Sequence, residues 1–138
     1  MAGYSDTPLA KKLGIKESFR IGLVNAPKVF QKQLGTLPED SQIVTRLLKP
    51  LDVILLFADA EKTLAKDFRS LAKKLSTNGM IWIAWPKKSS GVPTDLSFER
   101  VQLIGLQCGL VDVKICAIDE VWSGLKFVYR LKDRSAIQ

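Results

Sequence analysis

The sequence predicts an α/β fold: a mostly parallel sheet of about six strands, helices on both of its faces, and an antiparallel hairpin at the C-terminal end. Three observations predict it. Apolar segments of strand length alternate along the chain with amphipathic segments of helix length. Leu51 to Phe57 is apolar on both faces, as a central parallel strand covered from either side must be. Residues 61–75 carry Leu64, Phe68, Leu71, Ala72 and Leu75 on one helical stripe, with lysines and an arginine elsewhere.

Residues 1–18 read as a lead-in holding one short helix, capped by Thr7, begun by Pro8 and ended by Gly14. Phe19 to Val24 is the first strand, broken by Asn25-Ala26-Pro27. Residues 28–34 form a short helix through Val29, Phe30 and Leu34, closed by Gly35, and Leu37 to Asp40 is a turn. Gln42 to Leu48 reads as the second strand and Leu51 to Phe57 as the third, with only Lys49 and Pro50 between them. A parallel crossover normally takes a dozen or more residues. The second strand is therefore expected to stop near Val44 and run back extended, the alternative being that it is not parallel. Asn78-Gly79 is expected to stop the 61–75 helix, with Met80 to Trp85 as the fourth strand, ended by Pro86. The Lys87 to Pro93 loop leads to a helix from about Leu96 to Cys108, with Thr94 or Asp95 as its cap. Val111 to Ile118 is the fifth strand. Leu125 to Leu131 is the sixth, reached through a turn at Trp122-Ser123-Gly124. Residues 132–138 read as a frayed polar tail. The whole forms one domain, 1–138, of Rossmann-like type with right-handed crossovers.

Composition narrows the chemistry. The 138 residues include no histidine, so the commonest general base at neutral pH and the commonest transition-metal ligand are both missing. Ser-His-Asp and Cys-His catalysis are excluded within this chain, and no metal site is expected. Cys108 and Cys116 read as two buried thiols rather than a disulfide. There is no apolar run of membrane-spanning length and no signal-like start, so a cytoplasmic location is expected. A net charge of +7 favours anionic partners or describes a solvated lysine surface. The lysines come in pairs (Lys11-Lys12, Lys73-Lys74, Lys87-Lys88) rather than as a basic arm.

The order of elements, closing in a two-strand hairpin, resembles the S-adenosylmethionine-dependent methyltransferases. Leu51-Asp52-Val53-Ile54-Leu55-Leu56 resembles that superfamily's central strand, and Leu75 to Ile83 is similar to its helix-end, glycine, strand transition. Gly109-Leu110-Val111 through Arg130 resembles its closing segment. Taken whole, the chain also resembles a bacterial family of short methyltransferase-like proteins classed as a domain of unknown function. Thr7 to Gly14, Trp85-Pro86-Lys87-Lys88, Val111-Asp112 and Cys116 to Gly124 carry that resemblance. The first half departs from the superfamily. Asn25-Ala26-Pro27-Lys28 stands where a Gly-rich cofactor turn is expected, and Thr45, Arg46 and Lys49 stand where an acidic residue would hold the ribose. One helix–strand unit of the full fold is also missing from the pattern. No cofactor is expected on these grounds, S-adenosylmethionine included.

Ligands of open α/β sheets sit beyond the carboxyl ends of the strands. That edge is expected to carry Asn25, Asp59, Trp85, Asp119, Glu120 and Trp122 as a pocket rim. The loop after the fourth strand offers Lys87, Lys88, Ser89, Ser90, Gly91 and Thr94, a set of ammonium groups and hydroxyls suited to a small anion. Such a loop also reads as a solvated connection. The leading expectation is a degenerate methyltransferase-like domain that binds a small anionic ligand or serves as a regulatory subunit. One alternative is an enzyme using Asp59, Asp119 or Glu120 as acid or base, or a Ser89–Lys87 dyad. The other is a basic module for a protein partner, a second copy of the chain or non-specific nucleic acid. No membrane partner is expected.

Overall fold

A computed structural model describes residues 8–136. The chain runs α1 (Leu9–Lys12), β1 (Arg20–Val24), α2 (Phe30–Leu34), β2 (Gln42–Ile43), β3 (Leu51–Phe57), α3 (Glu61–Ala72), β4 (Leu75–Pro86), α4 (Phe98–Gln107), β5 (Leu110–Ala117) and β6 (Trp122–Tyr129). Six strands form one sheet in the order β2-β1-β3-β4-β6-β5. The pairs β1–β2, β1–β3 and β3–β4 are parallel, and β4–β6 and β5–β6 are antiparallel. From β1 the chain steps outward to β2, then returns past β1 to β3 on its other side. That reversal opens a crevice beyond the carboxyl ends of β1 and β3, the place where ligands of such sheets bind.

Both sheet faces are buried. Ile54 and Leu56 of β3 pack with Leu64, Phe68 and Leu71 of α3 and Val101 and Ile104 of α4. Val53, Leu55 and Phe57 point the other way, onto Ala10 of α1, Leu13, and Phe30 and Leu34 of α2. This alternation is the two-residue period of a strand, and it explains why Val53 to Phe57 is apolar throughout, while Asp52 near the start of β3 accepts from Arg20 N at 2.7 Å. Trp82 is fully buried on the second face and donates its indole N–H to the Leu13 carbonyl at 2.9 Å, so the ring brings no unpaired donor into the core. No helix among the described residues is long and apolar enough to cross a membrane.

Several boundaries differ from the sequence expectation. Thr7 lies outside the described residues, and Pro8 takes the N-cap position of α1 rather than the first helical one. The second strand is short and parallel. Gln42 and Ile43 pair with Arg20 and Ile21, and residues 44–50 return to β3 through bends at Thr45, Arg46 and Lys49 rather than in the extended form expected. Val44 and Leu47 still pack against the core from that segment, which is why the apolar pattern looked like more strand. Helix α3 ends at Ala72, and Leu75 to Gly79 belong to β4. Gly79 is required by close approach rather than as a helix stop, because a Cβ there would lie 2.9 Å from the Leu51 carbonyl oxygen. The N-cap of α4 is Ser97, whose Oγ accepts from Arg100 N at 3.2 Å, and not Thr94 or Asp95. Trp122 to Gly124 lie within β6, and the hairpin turns earlier, at residues 118–121. Leu131–Ala136 forms a 3₁₀ segment where a frayed tail was expected. Cys108 and Cys116 are free thiols and half-buried rather than fully buried.

Candidate functional site

A cleft of about 370 Å³ opens at the β1/β3 reversal, lined by Asn25, Phe57, Ala58, Asp59, Thr63, Asp67 and Trp122. Each element delivers its part for a local reason. Asn25 follows β1 with φ of 59°, a left-handed conformation that asparagine tolerates far better than most residues. Its Nδ2 reaches the Phe57 carbonyl at 3.4 Å, across the reversal. Phe57 is the last residue of β3, and its buried ring sits between two aromatic edges. Phe30 meets it at 4.9 Å and Trp122 at 5.1 Å, both near perpendicular.

The rim between β3 and α3 is pinned from outside. Ala60 precedes α3 and has no side chain with which to cap it. Asp95 does so from the neighbouring loop, accepting from Glu61 N at 2.7 Å. Thr94 Oγ1 donates to the Asp59 carbonyl at 2.6 Å. Thr63 and Asp67 are one helical turn apart on α3 and therefore face the cleft together.

Asp119 shapes the opposite wall. Its Oδ1 accepts from the backbone N–H groups of Val121 and Trp122, each at 2.8 Å, and its Oδ2 accepts from Gln33 Nε2 at 3.3 Å. Those bonds close the β5–β6 turn, tie it to α2, and set Trp122 at the cleft.

Of the six residues expected on the pocket rim, the structure brings Asn25, Asp59 and Trp122 together. Asp119 acts through the turn, and Glu120 is exposed beside it. Trp85 is 5% exposed and packs into the core on the α3/α4 face, away from the cleft. The reason is parity. Trp85 and Ile83 share one side of β4, while Trp82 and Ala84 share the other. Sequence reasoning missed Phe57, Thr63 and Asp67. The signal for the last two was a polar pair four residues apart, off the apolar stripe, in the helix that follows the reversal strand.

The loop after β4 uses its hydroxyls internally. Ser90 Oγ donates to the Lys87 carbonyl at 2.6 Å and accepts from Val92 N at 3.2 Å. Thr94 Oγ1, besides its bond to Asp59, accepts from Leu96 N at 3.0 Å. Lys88 and Ser89 are exposed, and Gly91 takes the left-handed conformation that ends the 3₁₀ turn at Lys88–Ser90. The loop therefore borders the cleft through Thr94 and Asp95, but it does not present a converging set of donors.

No protein-family model matches the chain, and no curated protein does. Solved structures do match. An S-adenosylmethionine-dependent methyltransferase from Aquifex aeolicus superposes with a TM-score of 0.57 at 16% identity, over 86% of each chain. Magnesium protoporphyrin IX methyltransferase from Synechocystis PCC 6803, solved with bound S-adenosylmethionine, gives 0.57 at 9% identity, over 88% of this chain and 74% of that one. The Methanococcus jannaschii fibrillarin pre-rRNA processing protein gives 0.53 at 15% identity, over 92% and 70%. The fold is methyltransferase-like.

These neighbours bear out the distant resemblance read from the strand order and the closing hairpin. They also overturn the expectation that S-adenosylmethionine does not belong with this chain, because structures of the same fold hold that cofactor. That expectation rested on a missing glycine, sought for close backbone approach, at the turn after β1, where Asn25 adopts a positive φ. The acidic residue sought at the end of the second strand is likewise absent from β2, but two carboxylates, Asp59 of the β3–α3 connection and Asp67 of α3, line the cleft.

Proposed function

We propose that the cleft between β1 and β3 is an S-adenosylmethionine site and that the chain acts as a methyltransferase-like domain binding that cofactor. The sign of the lining carries this reading. Within a chain of net charge +7, the charged side chains at the cleft are two aspartates, Asp59 and Asp67. They suit a ligand with net positive charge and oppose a small anion. Trp122, half-buried at the cleft wall, adds aromatic surface against which an adenine ring can pack. The volume, about 370 Å³, lies within the roughly 300–1,000 Å³ of small-molecule sites.

In this reading Asp59 and Asp67 hold the cationic portion of the ligand, Trp122 its ring, and Asn25 turns the backbone at the end of β1 beside it. S-adenosylmethionine, when bound, supplies an electrophilic methyl group on a positively charged sulfur. The chain's own residues bind and orient it, and the Asp119 turn keeps Trp122 in place against the wall.

The test is calorimetric titration of the chain with S-adenosylmethionine and with S-adenosylhomocysteine, whose sulfur is neutral. Both are expected to bind, and ligand at 100 times its dissociation constant should add about 2.7 kcal/mol to stability. Asp59→Asn or Asp67→Asn should weaken S-adenosylmethionine more than S-adenosylhomocysteine. Absence of heat and of thermal stabilisation with either ligand at millimolar concentration would refute the reading.

A further inference from the structure

Away from the cleft, Lys12, Lys16, Lys114 and Lys126 converge on one face. Lys114 and Lys126 are direct cross-strand partners in the β5–β6 hairpin, a like-charged pairing that is destabilising in a sheet. Lys126 reaches under the end of α1, where a Cβ added to Gly14 would lie 4.0 Å from its Nζ. Lys12 Nζ donates to the Ala117 carbonyl at 2.8 Å, and Lys114 Nζ to the Lys12 carbonyl at 3.3 Å. The partners that hold these two ammonium groups are neutral carbonyls, so the bonds fix the positions of the charges without neutralising them. Among the described residues no carboxylate forms an ion pair with any of the four lysines. Burial, and then the Lys114 and Lys16 ammonium groups, pull the Lys126 pKa down.

A small anion needs donors that converge on one point. Here the charges are spread across a helix, the loop after it and two strands, which suits a row of anions. The exposed apolar residues of β5, Val113 and Ile115, alternate with Lys114 and point to the other side of the strand, so the lysine face lacks what a membrane surface would want. Trp122 lies four residues before Lys126 on the same side of β6, about 13 Å along the strand, and is half-buried. Ammonium groups in line with an aromatic ring form the arrangement that tracks a single strand and stacks a base.

We propose that the α1–β5–β6 face binds the phosphate backbone of single-stranded nucleic acid, with Lys12, Lys16, Lys114 and Lys126 contacting successive phosphates. This goes beyond the cofactor reading and stands independently of it, since the binding is measured without cofactor.

The experiment is fluorescence anisotropy of a labelled uridine 20-mer titrated with the full chain at 50 and 200 mM salt. Four phosphate contacts on a single strand give a slope of about −2.8 in log K against log salt, a loss of about 50-fold over that range. The double variant Lys114→Gln/Lys126→Gln should bind at least tenfold more weakly at 50 mM salt, and its loss over the same range should shrink to about 7-fold. Lys73→Gln/Lys74→Gln, at the end of α3 on the opposite face of the sheet, should behave as the unaltered chain. Removing a like-charged pair does not threaten the fold, and an unchanged or raised melting temperature of the double variant verifies this. No binding at 50 mM salt, or equal losses in the two double variants, would overturn the proposal. So would competition by polyglutamate as effective as competition by unlabelled oligonucleotide, which would point to an acidic protein instead.

Discussion

Replacing Asn25 separates the conformational requirement of the β1 turn from the chemistry of its side chain. At φ of 59°, an ordinary L-residue costs roughly 1–2 kcal/mol, glycine nothing, and asparagine an intermediate amount. The Asn25 Nδ2 bond to the Phe57 carbonyl is long, at 3.4 Å, and Asn25 is exposed, so its loss adds little. Asn25→Gly should therefore fold with stability within about 0.5 kcal/mol of the parent, Asn25→Ala should lose about 1 kcal/mol, and Asn25→Val more, because a β-branched residue is a true outlier there. Urea unfolding followed by tryptophan fluorescence gives the order directly from the midpoints at constant slope. The same three variants, titrated with S-adenosylmethionine, separate fold from site. Asn25→Gly should keep the affinity, because the turn remains open to close backbone approach. If Ala and Val were as stable as Asn, the left-handed geometry would not be a constraint, and the account of how this chain dispenses with a glycine would fail.

Two further outcomes follow from the packing. Gly105 of α4 lies against Phe127, and a Cβ would meet the ring at 2.6 Å from both Cδ2 and Cζ, while Phe127 stacks edge-on with Phe68 at 5.1 Å. Gly105→Ala gains about 1 kcal/mol of helix propensity but should still be net destabilising by about 1–3 kcal/mol, from overpacking and a displaced ring. A urea midpoint equal to the parent's would contradict so close an approach of α4 to β6. Burial pushes the Cys108 and Cys116 thiols up, with Arg69 opposing it at the first, and Lys12 and then Lys114 at the second. A pKa raised on folding gives a contribution to stability that is present below the unfolded thiol value and lost as pH rises through the folded one. Iodoacetamide should therefore label the native chain with a rate-against-pH curve displaced above that of free cysteine, returning to the free curve in urea. Superimposed curves would refute it.

What could be read from the sequence follows physical scale. β3 was legible to the residue, because a strand buried on both faces gives a continuous apolar run, here Val53 to Phe57, with its one charged residue, Asp52, near the start. The hairpin was legible in kind but not in place. Trp122-Ser123-Gly124 has turn composition, yet Asp119 supplies the acceptor for two backbone N–H groups and so turns the chain three residues earlier. Leu75 satisfied the helical stripe of α3 equally well, but it pairs with Leu51 in the sheet, a contact between residues distant in sequence. The cleft was half legible. Asn25, Asp59 and Trp122 follow from the rule that ligands sit at strand ends, whereas Trp85, also at a strand end, faces the core because of which side of β4 it occupies. The turn after β1 was not legible from residue type alone, because Asn25 takes there a positive φ that glycine adopts without strain.

The charges of this molecule are segregated rather than merely numerous. Asp59 and Asp67 line the cleft at the sheet reversal, while Lys12, Lys16, Lys114 and Lys126 share the α1–β5–β6 face, and Trp122 belongs to both surroundings. Net charge favoured an anionic partner or a solvated lysine surface, and the ammonium groups and hydroxyls of the loop after β4 marked that loop as a place for a small anion. Once side chains are placed, that loop braces the cleft rim through Thr94 and Asp95, with the Ser90 and Thr94 hydroxyls bonded to backbone and Ser89 exposed. An acidic cleft beside a basic face distinguishes two ligands of opposite sign. A cation bound in the cleft would weaken little as salt is added, its charge partly shielded from solvent, whereas a polyanion on the open face would weaken steeply. Salt dependence measured separately for each ligand is therefore a direct reading of which surface it occupies.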